Sequence, residues 1–285
     1  MSAMPDLKTA LLDLMFELEG SDIRLIIGGG FGLHLKAEYV RAMKSRTLFT
    51  VWPEPRSTND LDLFMRPELI IHSGKLKPLA DALAALGYAV VPGSENYQFA
   101  KAGPGGLKID LLTGPGKSFE GTGTIVDARR ARPRPSVGVH AHVVNEAPTL
   151  EEGLITRTLT GNRGNGMAAT GDVSIPNAFT YLMMKLFAFR DQRENAGKDR
   201  GRHHALDLYT ILATTTDAEW KFATELRDRH KENSEVIEAS QIVSDLFSSS
   251  SSEGIIRLKE SPYYRDEFPL KEFIQTLKEL FVLAR

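Results

Sequence analysis

The stretch Arg56-Ser57-Thr58-Asn59-Asp60-Leu61-Asp62-Leu63-Phe64 decides how the rest of this chain is interpreted. Its apolar residues predict a short strand, and in a strand the side chains of residues i and i+2 point to the same face. Asp60 and Asp62 therefore project together, while the leucines face the other way. Two carboxylates held side by side repel each other unless a cation lies near both, and oxygen ligands suit Mg²⁺. The pair is a candidate metal site.

The composition is that of an ordinary globular protein. The chain has 285 residues, of which 42% are hydrophobic and 25% charged, enough for two domains with substantial cores. Its formal net charge of -2 argues against a wholly basic nucleic-acid-binding protein. The lack of cysteine excludes disulfides, thiolate zinc sites and cysteine nucleophiles. The acidic N-terminal segment does not resemble a signal peptide, and no apolar run reaches membrane-spanning length, so we expect a cytoplasmic protein without membrane association.

Strand patterns fill the first half of the chain and helical patterns the second. This order predicts an α+β fold. We expect a domain over residues 1–148, with a small mixed β-sheet flanked by helices, followed by an all-helical domain over residues 149–285. The polar, glycine-rich segment from Thr158 to Asp172 is expected to be mobile, and Val137 to Val144 is predicted to be a strand.

A glycine turn precedes the aspartate pair. The apolar segment from Ile23 to Ile27 predicts a strand that runs directly into Gly28-Gly29-Gly30, and a helical pattern begins at Phe31. Such a junction presents backbone N–H groups and the positive end of a helix dipole, which together suit a phosphate. Arg56 and Thr58, just upstream of the pair, are close enough in sequence to reach phosphate oxygens as well.

A third carboxylate, Asp110, lies in the apolar strand pattern Leu107-Lys108-Ile109-Asp110-Leu111-Leu112. An unpaired charge in such a strand would be costly, which suggests a functional partner. Three carboxylates on adjacent strands can hold two Mg²⁺ ions, one activating an attacking oxygen and one neutralising the phosphates of a nucleotide. We therefore group Asp110 with Asp60 and Asp62.

Other motifs do not meet the requirements of the chemistry they suggest. A dinucleotide-binding G-x-G-x-x-G would need glycine where Leu33 stands, and a P-loop ending at Lys117-Ser118 would need glycine where Leu111 stands. The histidines lack companions for a four-ligand zinc site. No serine lies in a G-x-S-x-G turn. The cluster Arg129, Arg130, Arg132 and Arg134 is interrupted by prolines, and we interpret it as a solvated loop or edge strand rather than an RNA-binding surface.

The pattern resembles the DNA polymerase β-like nucleotidyltransferase superfamily, and within it the AbiEii-like and MenT-like toxins. The resemblance covers roughly residues 23–212 and consists of a glycine turn after a strand, a h-D-h-D-h strand, a later strand aspartate and a helical half. In this chain those are Gly28-Gly29, Asp60-Leu61-Asp62, Asp110 and the elements Met184-Lys185-Leu186 and Leu206-Asp207-Leu208-Tyr209. Many relatives have Gly-Ser at the turn, so Gly29 offers an N–H group but no hydroxyl.

The resemblance implies roles for further residues. It places Lys185 near the nucleotide phosphates and charged residues around Asp207 in the same site, so the nucleotide-binding candidates are Gly28, Gly29, Arg56, Thr58, Lys185 and Asp207. Without the resemblance, Lys185 is as readily a lysine that extends its amine from an apolar helix to water. Asp207 is as readily a helix cap or a partner of Arg202.

The resemblance further implies a Mg²⁺-dependent enzyme that transfers a nucleoside monophosphate from an NTP to a hydroxyl. Asp60, Asp62 and Asp110 would hold one or two ions, and Asp110 is also a candidate base toward the acceptor. A toxin would act on tRNA or a protein hydroxyl and would have a cognate antitoxin protein. Two alternatives stay open: an enzyme that modifies a small molecule such as an antibiotic, and a non-catalytic member of the fold that only binds a nucleotide or a partner.

Overall fold

The computed structural model describes residues 4–54, 56, 58–102 and 106–282. The chain divides into two compact units, and neither is a continuous segment. The first comprises Met1–Leu35, Ser57–Asn145 and Leu154–Pro176, and the second comprises Lys36–Arg56, Glu146–Gly153 and Asn177–Arg285. The α+β class is confirmed: a mixed sheet with flanking helices is followed by helices in the C-terminal part.

The first unit is built on one mixed sheet. Its main path runs in the order β6-β7-β8-β5-β2-β1-β10-β9, and β4 joins β5 while carrying β3. The described strands are β1 Ile26–Ile27, β2 Asp60–Met65, β3 Tyr88–Val90, β4 Gln98–Lys101, β5 Lys108–Thr113, β6 Ile125–Asp127, β7 Arg130–Arg132, β8 Ala141–Val143, β9 Ile155–Asn162 and β10 Ala168–Ile175. This sheet is larger than the small one expected from the sequence.

The centre of the sheet is the parallel pair β2 and β5. Their register places Leu61 opposite Ile109 and Leu63 opposite Leu111, and all four side chains are buried. Because strand side chains alternate between faces, the intervening residues of both strands lie together on the opposite face, where they are only partly buried. The alternation that predicted strand β2 thus determines which face carries its aspartates.

In the part of the first unit that the structure describes, the α-helices are α1 Met4–Glu17, the first half of α2 Gly29–Ala42, α3 Pro67–Ile71 and α4 Ser73–Ala85. Helix α1 packs on β9 and β10, with Leu7, Leu11 and Leu14 completely buried. Its Asp13 carboxylate accepts hydrogen bonds from the backbone N–H of Gly164 at 3.1 and 3.3 Å, which ties the β9–β10 turn to the helix.

The second unit is mainly helical. Its helices are the end of α2, α5 Ala178–Gln192, α6 Arg202–Ala213, α7 Asp217–His230, α8 Ser234–Leu246, α9 Glu253–Lys259 and α10 Leu270–Phe281. Helix α5 is central, since it packs against α6, α7 and α8 and buries apolar side chains on nearly every side. Asn177 caps its start by accepting a hydrogen bond from the N–H of Thr180 at 2.9 Å.

The segment expected to be mobile instead forms most of a hairpin. Strands β9 and β10 pair in unbroken antiparallel register from Ile155–Ile175 to Asn162–Ala168, and Ser174 of β10 lies opposite Ile26 of β1. The prediction of a mobile loop is wrong because backbone pairing and packing on α1 order a sequence rich in threonine and glycine. The observed division also differs from a boundary at residues 148 and 149, since these two strands belong to the sheet of the first unit.

The other predicted strands need smaller corrections. The segment Val137 to Val144 forms a strand only over Ala141–Val143. The arginine-rich segment includes the short strand β7, which pairs with β6 on one side and β8 on the other, so β6 forms the edge of the sheet there. Among the described residues, no helix combines the length and apolar character needed to cross a membrane.

Lys36 is the basis of a stability prediction. Its side chain is completely buried in the second unit, with the ammonium 3.1 Å from Glu219 Oε1 and 3.4 Å from Thr215 Oγ1. Replacing Lys36 with methionine keeps the volume but leaves the Glu219 carboxylate without its buried cation. We expect Lys36→Met to lower the free energy of unfolding by about 2–4 kcal/mol in urea titrations.

The double variant Lys36→Met/Glu219→Gln is the matched control for the charge. Glutamine keeps an oxygen for the capping box in which Glu219 accepts from the Thr216 N–H, and it removes the stranded charge. The double variant should therefore be more stable than Lys36→Met alone. Equal stability of the two variants would contradict a role for the buried charge.

Candidate functional site

The three aspartates predicted from the sequence lie together on the open face of the β2–β5 pair. Asp62 is directly opposite Asp110 in the parallel register, and Asp60, opposite Lys108, lies one strand repeat away on the same face. All three aspartates are partly buried. The structure thus brings the predicted carboxylates to one patch of the first unit.

The glycine turn adjoins this patch directly. Gly28 donates its N–H to the Asp62 backbone oxygen at 2.8 Å, and helix α2 begins at Gly29. Gly29 has a φ of +58°, and a Cβ built on it would overlap the Asp62 carboxylate. Any side chain at this position would therefore be strained and would displace Asp62. The N-terminus of α2, with its positive dipole end, lies beside the carboxylate.

The role expected of Gly28 needs a correction. Its N–H is already bonded to Asp62, so it is not available to a phosphate. The carbonyl of Gly28 accepts the first helical bond, from Gly32 N at 2.9 Å. The N–H groups of the first turn, beginning at Gly29, have no partner within the helix and are the backbone donors that the turn can offer an anion.

Asp110 lies in a strongly perturbed environment. The pKa of its carboxyl group is raised to about 7, chiefly by burial and also by the charges of Asp62 and Asp60, although a hydrogen bond from the Gln98 side chain and the charge of Lys108 act in the opposite direction. The Asp110 Oδ1 atom is buried and has no hydrogen-bond partner among the described residues. A proton or a cation at this oxygen would offset both the cost of burying the negative charge and the repulsion from Asp62 and Asp60.

The donor set suits a hard cation. Asp62 and Asp110 supply carboxylate oxygens from opposite positions, and the buried Oδ1 of Asp110 is an acceptor without a donor. As the side chains are placed, no three described histidine, aspartate or glutamate residues form a ready-made metal cluster. The residues that would hold an ion are therefore Asp62 and Asp110, with Asp60 next to them on the same face.

Sequence reasoning missed the groups that flank Asp110. Gln98 of β4 is opposite Asp110 in register, and it is the side chain that hydrogen-bonds the carboxylate. His142 of β8 is opposite Leu112 and contacts the ring of Tyr97, with the ring centroids 5.6 Å apart. The sequence carries part of the signal for Gln98, because Tyr88 to Val91 and Tyr97 to Lys101 have the pattern of two hairpin strands, but this pattern does not give the pairing of β4 with β5.

The arginine cluster near the sheet edge is largely neutralised within the first unit. Arg130 pairs with Asp127 at 3.3 Å and with Glu95, and Arg132 pairs with Asp127. These contacts support the interpretation of a solvated edge over that of an exposed basic groove.

A second cluster of predicted residues lies within the second unit. Arg56 donates from Nε and Nη2 to the two carboxylate oxygens of Asp207 at 2.8 and 2.9 Å, and the Lys185 ammonium is 2.7 Å from Asp207 Oδ2. Although burial alone would raise the pKa of Asp207, Lys185 and Arg56 hold it well below its usual range. Asp207 thus pairs with these two cations. Arg202 pairs with Asp199 instead.

Two histidines adjoin this charged cluster. The rings of His203 and His204 are 3.9 Å apart. Burial and the nearby Arg56 charge lower the pKa of His203 to about 4, and burial and the Lys185 charge lower the pKa of His204 well below its usual value. Both residues are therefore neutral near pH 7 and add no positive charge to Arg56 and Lys185.

Thr58, the remaining predicted residue, is half-buried two positions before β2 in the first unit. The predicted residues thus fall into a carboxylate-and-turn group in one unit and an Arg56–Asp207–Lys185 group in the other.

No protein-family model, curated protein or solved structure matches this chain. The likeness to nucleotidyltransferases therefore depends on the short motifs of the sequence.

The charge coupling at the patch gives a direct prediction. In metal-free protein, the carboxyl carbon of Asp110 followed by NMR should titrate with a pKa of about 7. Asp62→Asn should lower that pKa, because the neighbouring negative charge that opposes ionisation is gone. Gln98→Leu should raise it, because a hydrogen bond to the ionised form is lost. An Asp110 pKa near 4 in the unaltered chain would contradict the described environment.

Proposed function

We propose that the chain is a Mg²⁺-dependent nucleotidyltransferase whose reaction centre is the carboxylate patch of the first unit. The observation that carries this proposal is the register that sets Asp62 opposite Asp110, with the N-terminus of α2 beside them. Paired carboxylates next to a helix N-terminus provide ligands for a cation and donors for a phosphate within one small region. These two features support a metal–triphosphate as the substrate.

Bound Mg²⁺ would neutralise the triphosphate and lower the pKa of an attacking hydroxyl. Asp62 and Asp110 would hold the ion, with Asp60 as the third carboxylate. Gly29 and the following N–H groups of α2 would bind phosphate oxygens, and the absence of a side chain at Gly29 leaves room for the Asp62 carboxylate beside them.

In the proposed reaction, the acceptor oxygen attacks the α-phosphorus of the NTP. A new P–O bond forms, the bond to the β-phosphate bridging oxygen breaks, and pyrophosphate leaves with that electron pair. Asp110 is the proposed base for the hydroxyl proton, since its Oδ1 is buried and has no described donor. Positioning and charge neutralisation supply the catalysis.

The acceptor and the biological role belong to the proposal as well. We infer a toxin that modifies tRNA and is controlled by an antitoxin protein, from the resemblance in sequence motifs. Phosphate contacts from Thr58, Arg56 and Lys185 also remain predictions. Asp207 is itself a buried anion, so its proposed part is to hold Arg56 and Lys185 in place rather than to touch a phosphate. The reaction centre proposed above does not depend on these four residues.

Incubation of the protein with each labelled NTP, Mg²⁺ and total tRNA tests the proposal. We expect NMP incorporation that requires Mg²⁺ and falls at least about a hundredfold in Asp62→Asn and Asp110→Asn, since each removes charge needed in the transition state. Asp81→Asn is the matched control, because Asp81 is an exposed aspartate of the same unit that pairs with Lys77 one helical turn away. It should retain full activity.

Other results of the same experiment are decisive. Incorporation into an antibiotic hydroxyl but not tRNA would establish the small-molecule alternative. Binding of ATP without transfer to any acceptor, including protein, would establish a non-catalytic member of the fold. Equal activity in Asp62→Asn and the unaltered chain would remove the carboxylate patch as the reaction centre.

The turn gives an independent prediction. Gly29→Ala places a methyl group on the Asp62 carboxylate at a positive φ, so we expect a loss of at least about tenfold in kcat/KM and weaker Mg²⁺ binding. Gly74→Ala in α4 is the control, because its added Cβ meets no atom within 4 Å. Comparable activities of the two variants would contradict a role for the close contact between Gly29 and the Asp62 carboxylate.

A further inference from the structure

A groove in the first unit lies away from the carboxylate patch, along strand β10. It has a volume of about 320 Å³ and runs between the end of α1, the segment leading into β1 and residues 168–172 of β10. Leu12, Met15, Leu18 and Ile23 are among its apolar lining residues. Phe16, also in the lining, exposes 48% of its surface. The groove is thus an apolar channel beside a strand.

The side of β10 that faces this groove has open backbone positions. Ser174 donates its N–H to the Leu25 oxygen at 2.9 Å, away from β9. Because backbone groups alternate along a strand, Thr170 and Asp172 direct their N–H and C=O groups to the same side as Ser174. In the described chain, β1 pairs with β10 only at Ile26 and Ser174, so no described strand pairs with Thr170 or Asp172 on that side.

The charges on the lining specify the occupant further. The charged residues among those that line the groove are Glu19 and Asp172, both acidic and both exposed. Asp172 also accepts a hydrogen bond from Thr158 through Oδ1, at 2.6 Å. An extended peptide would match these three features together. Its backbone would pair with the open N–H and C=O groups of β10, its apolar side chains would lie on the α1 surface, and a lysine or arginine would lie at the acidic rim.

We propose that this groove binds an extended, basic peptide segment of a partner protein, which adds a short strand to the open side of β10. Main-chain hydrogen bonds to Thr170 and Asp172 fix the register of the peptide on β10. The surface of α1 contacts the apolar side chains of the peptide, and the carboxylates of Glu19 and Asp172 attract its positive charge. This inference does not depend on the proposed nucleotidyltransferase activity, because its residues are separate from the aspartate patch and the glycine turn.

Selection from a phage-displayed library of random short peptides against the full chain tests the proposal. Selected peptides should alternate apolar residues with others and carry lysine or arginine. One selected peptide, labelled with fluorescein, is then titrated by fluorescence anisotropy. We expect Thr170→Pro to weaken its binding about tenfold, because proline removes the outward N–H without removing a bond to β9.

Thr170→Val is the matched control, since it keeps the N–H and should bind as the unaltered chain does. Glu19→Lys should weaken binding at low salt and reduce its salt dependence. A peptide N-methylated at the matching positions tests the same bonds should Thr170→Pro unfold, and it should bind at least about tenfold more weakly than its parent.

Three results would overturn the proposal. The first is a selection that yields no peptide above background. The second is that the selected peptide binds Thr170→Pro and Thr170→Val equally well and that its N-methylated form binds as tightly as its parent. The third is concentration-dependent dimerisation that Thr170→Pro abolishes, measured by sedimentation, because the groove would then hold a second copy of this chain. None of these results would bear on NMP transfer.

Discussion

The parallel pairing of β2 with β5 is the constraint on which the first unit depends. Its register buries Leu61, Leu63, Ile109 and Leu111 on one face and, by the same alternation, brings Asp62 and Asp110 together on the other. Burial of these apolar side chains stabilises the strand pair. This stabilisation offsets the repulsion between the two carboxylates on the other face. The turn into α2 packs directly against Asp62. The N–H of Gly28 bonds to the Asp62 backbone oxygen, and Gly29 leaves room for the Asp62 side chain.

In the second unit, Asp207 is a buried carboxylate in the opposite electrostatic environment. There a buried carboxylate is fully compensated, with a bidentate guanidinium from Arg56 on one side and the Lys185 ammonium at 2.7 Å. Asp110 lacks such compensation, and its pKa moves upward while that of Asp207 moves downward. Two aspartates on apolar elements therefore have opposite protonation tendencies, and the difference comes from their neighbours. Only the uncompensated carboxylate calls for an added proton or cation.

Sequence periodicity predicted the α+β class, the strand around Asp60 and Asp62, and the strand–turn–helix junction, because these features are local. It could not predict the register of β2 with β5, since the hairpin β3–β4 separates those strands in the chain. Strands β9 and β10 were missed because threonine, glycine and charged residues interrupt their apolar pattern, and their order comes from pairing and from α1. The buried pair of Lys36 and Glu219 was equally invisible, since it joins residues far apart in sequence.

The short strand β1 has a consequence for how the chain is made. Its two residues pair with β2 on one side, but their partner on the other side is β10, the last strand of the unit to be synthesised. During translation the inner position of the sheet therefore stays open, and Ile26 and Ile27 remain an apolar edge until residue 174 has left the ribosome. A chain released before that point would expose this edge, and an exposed apolar edge favours aggregation.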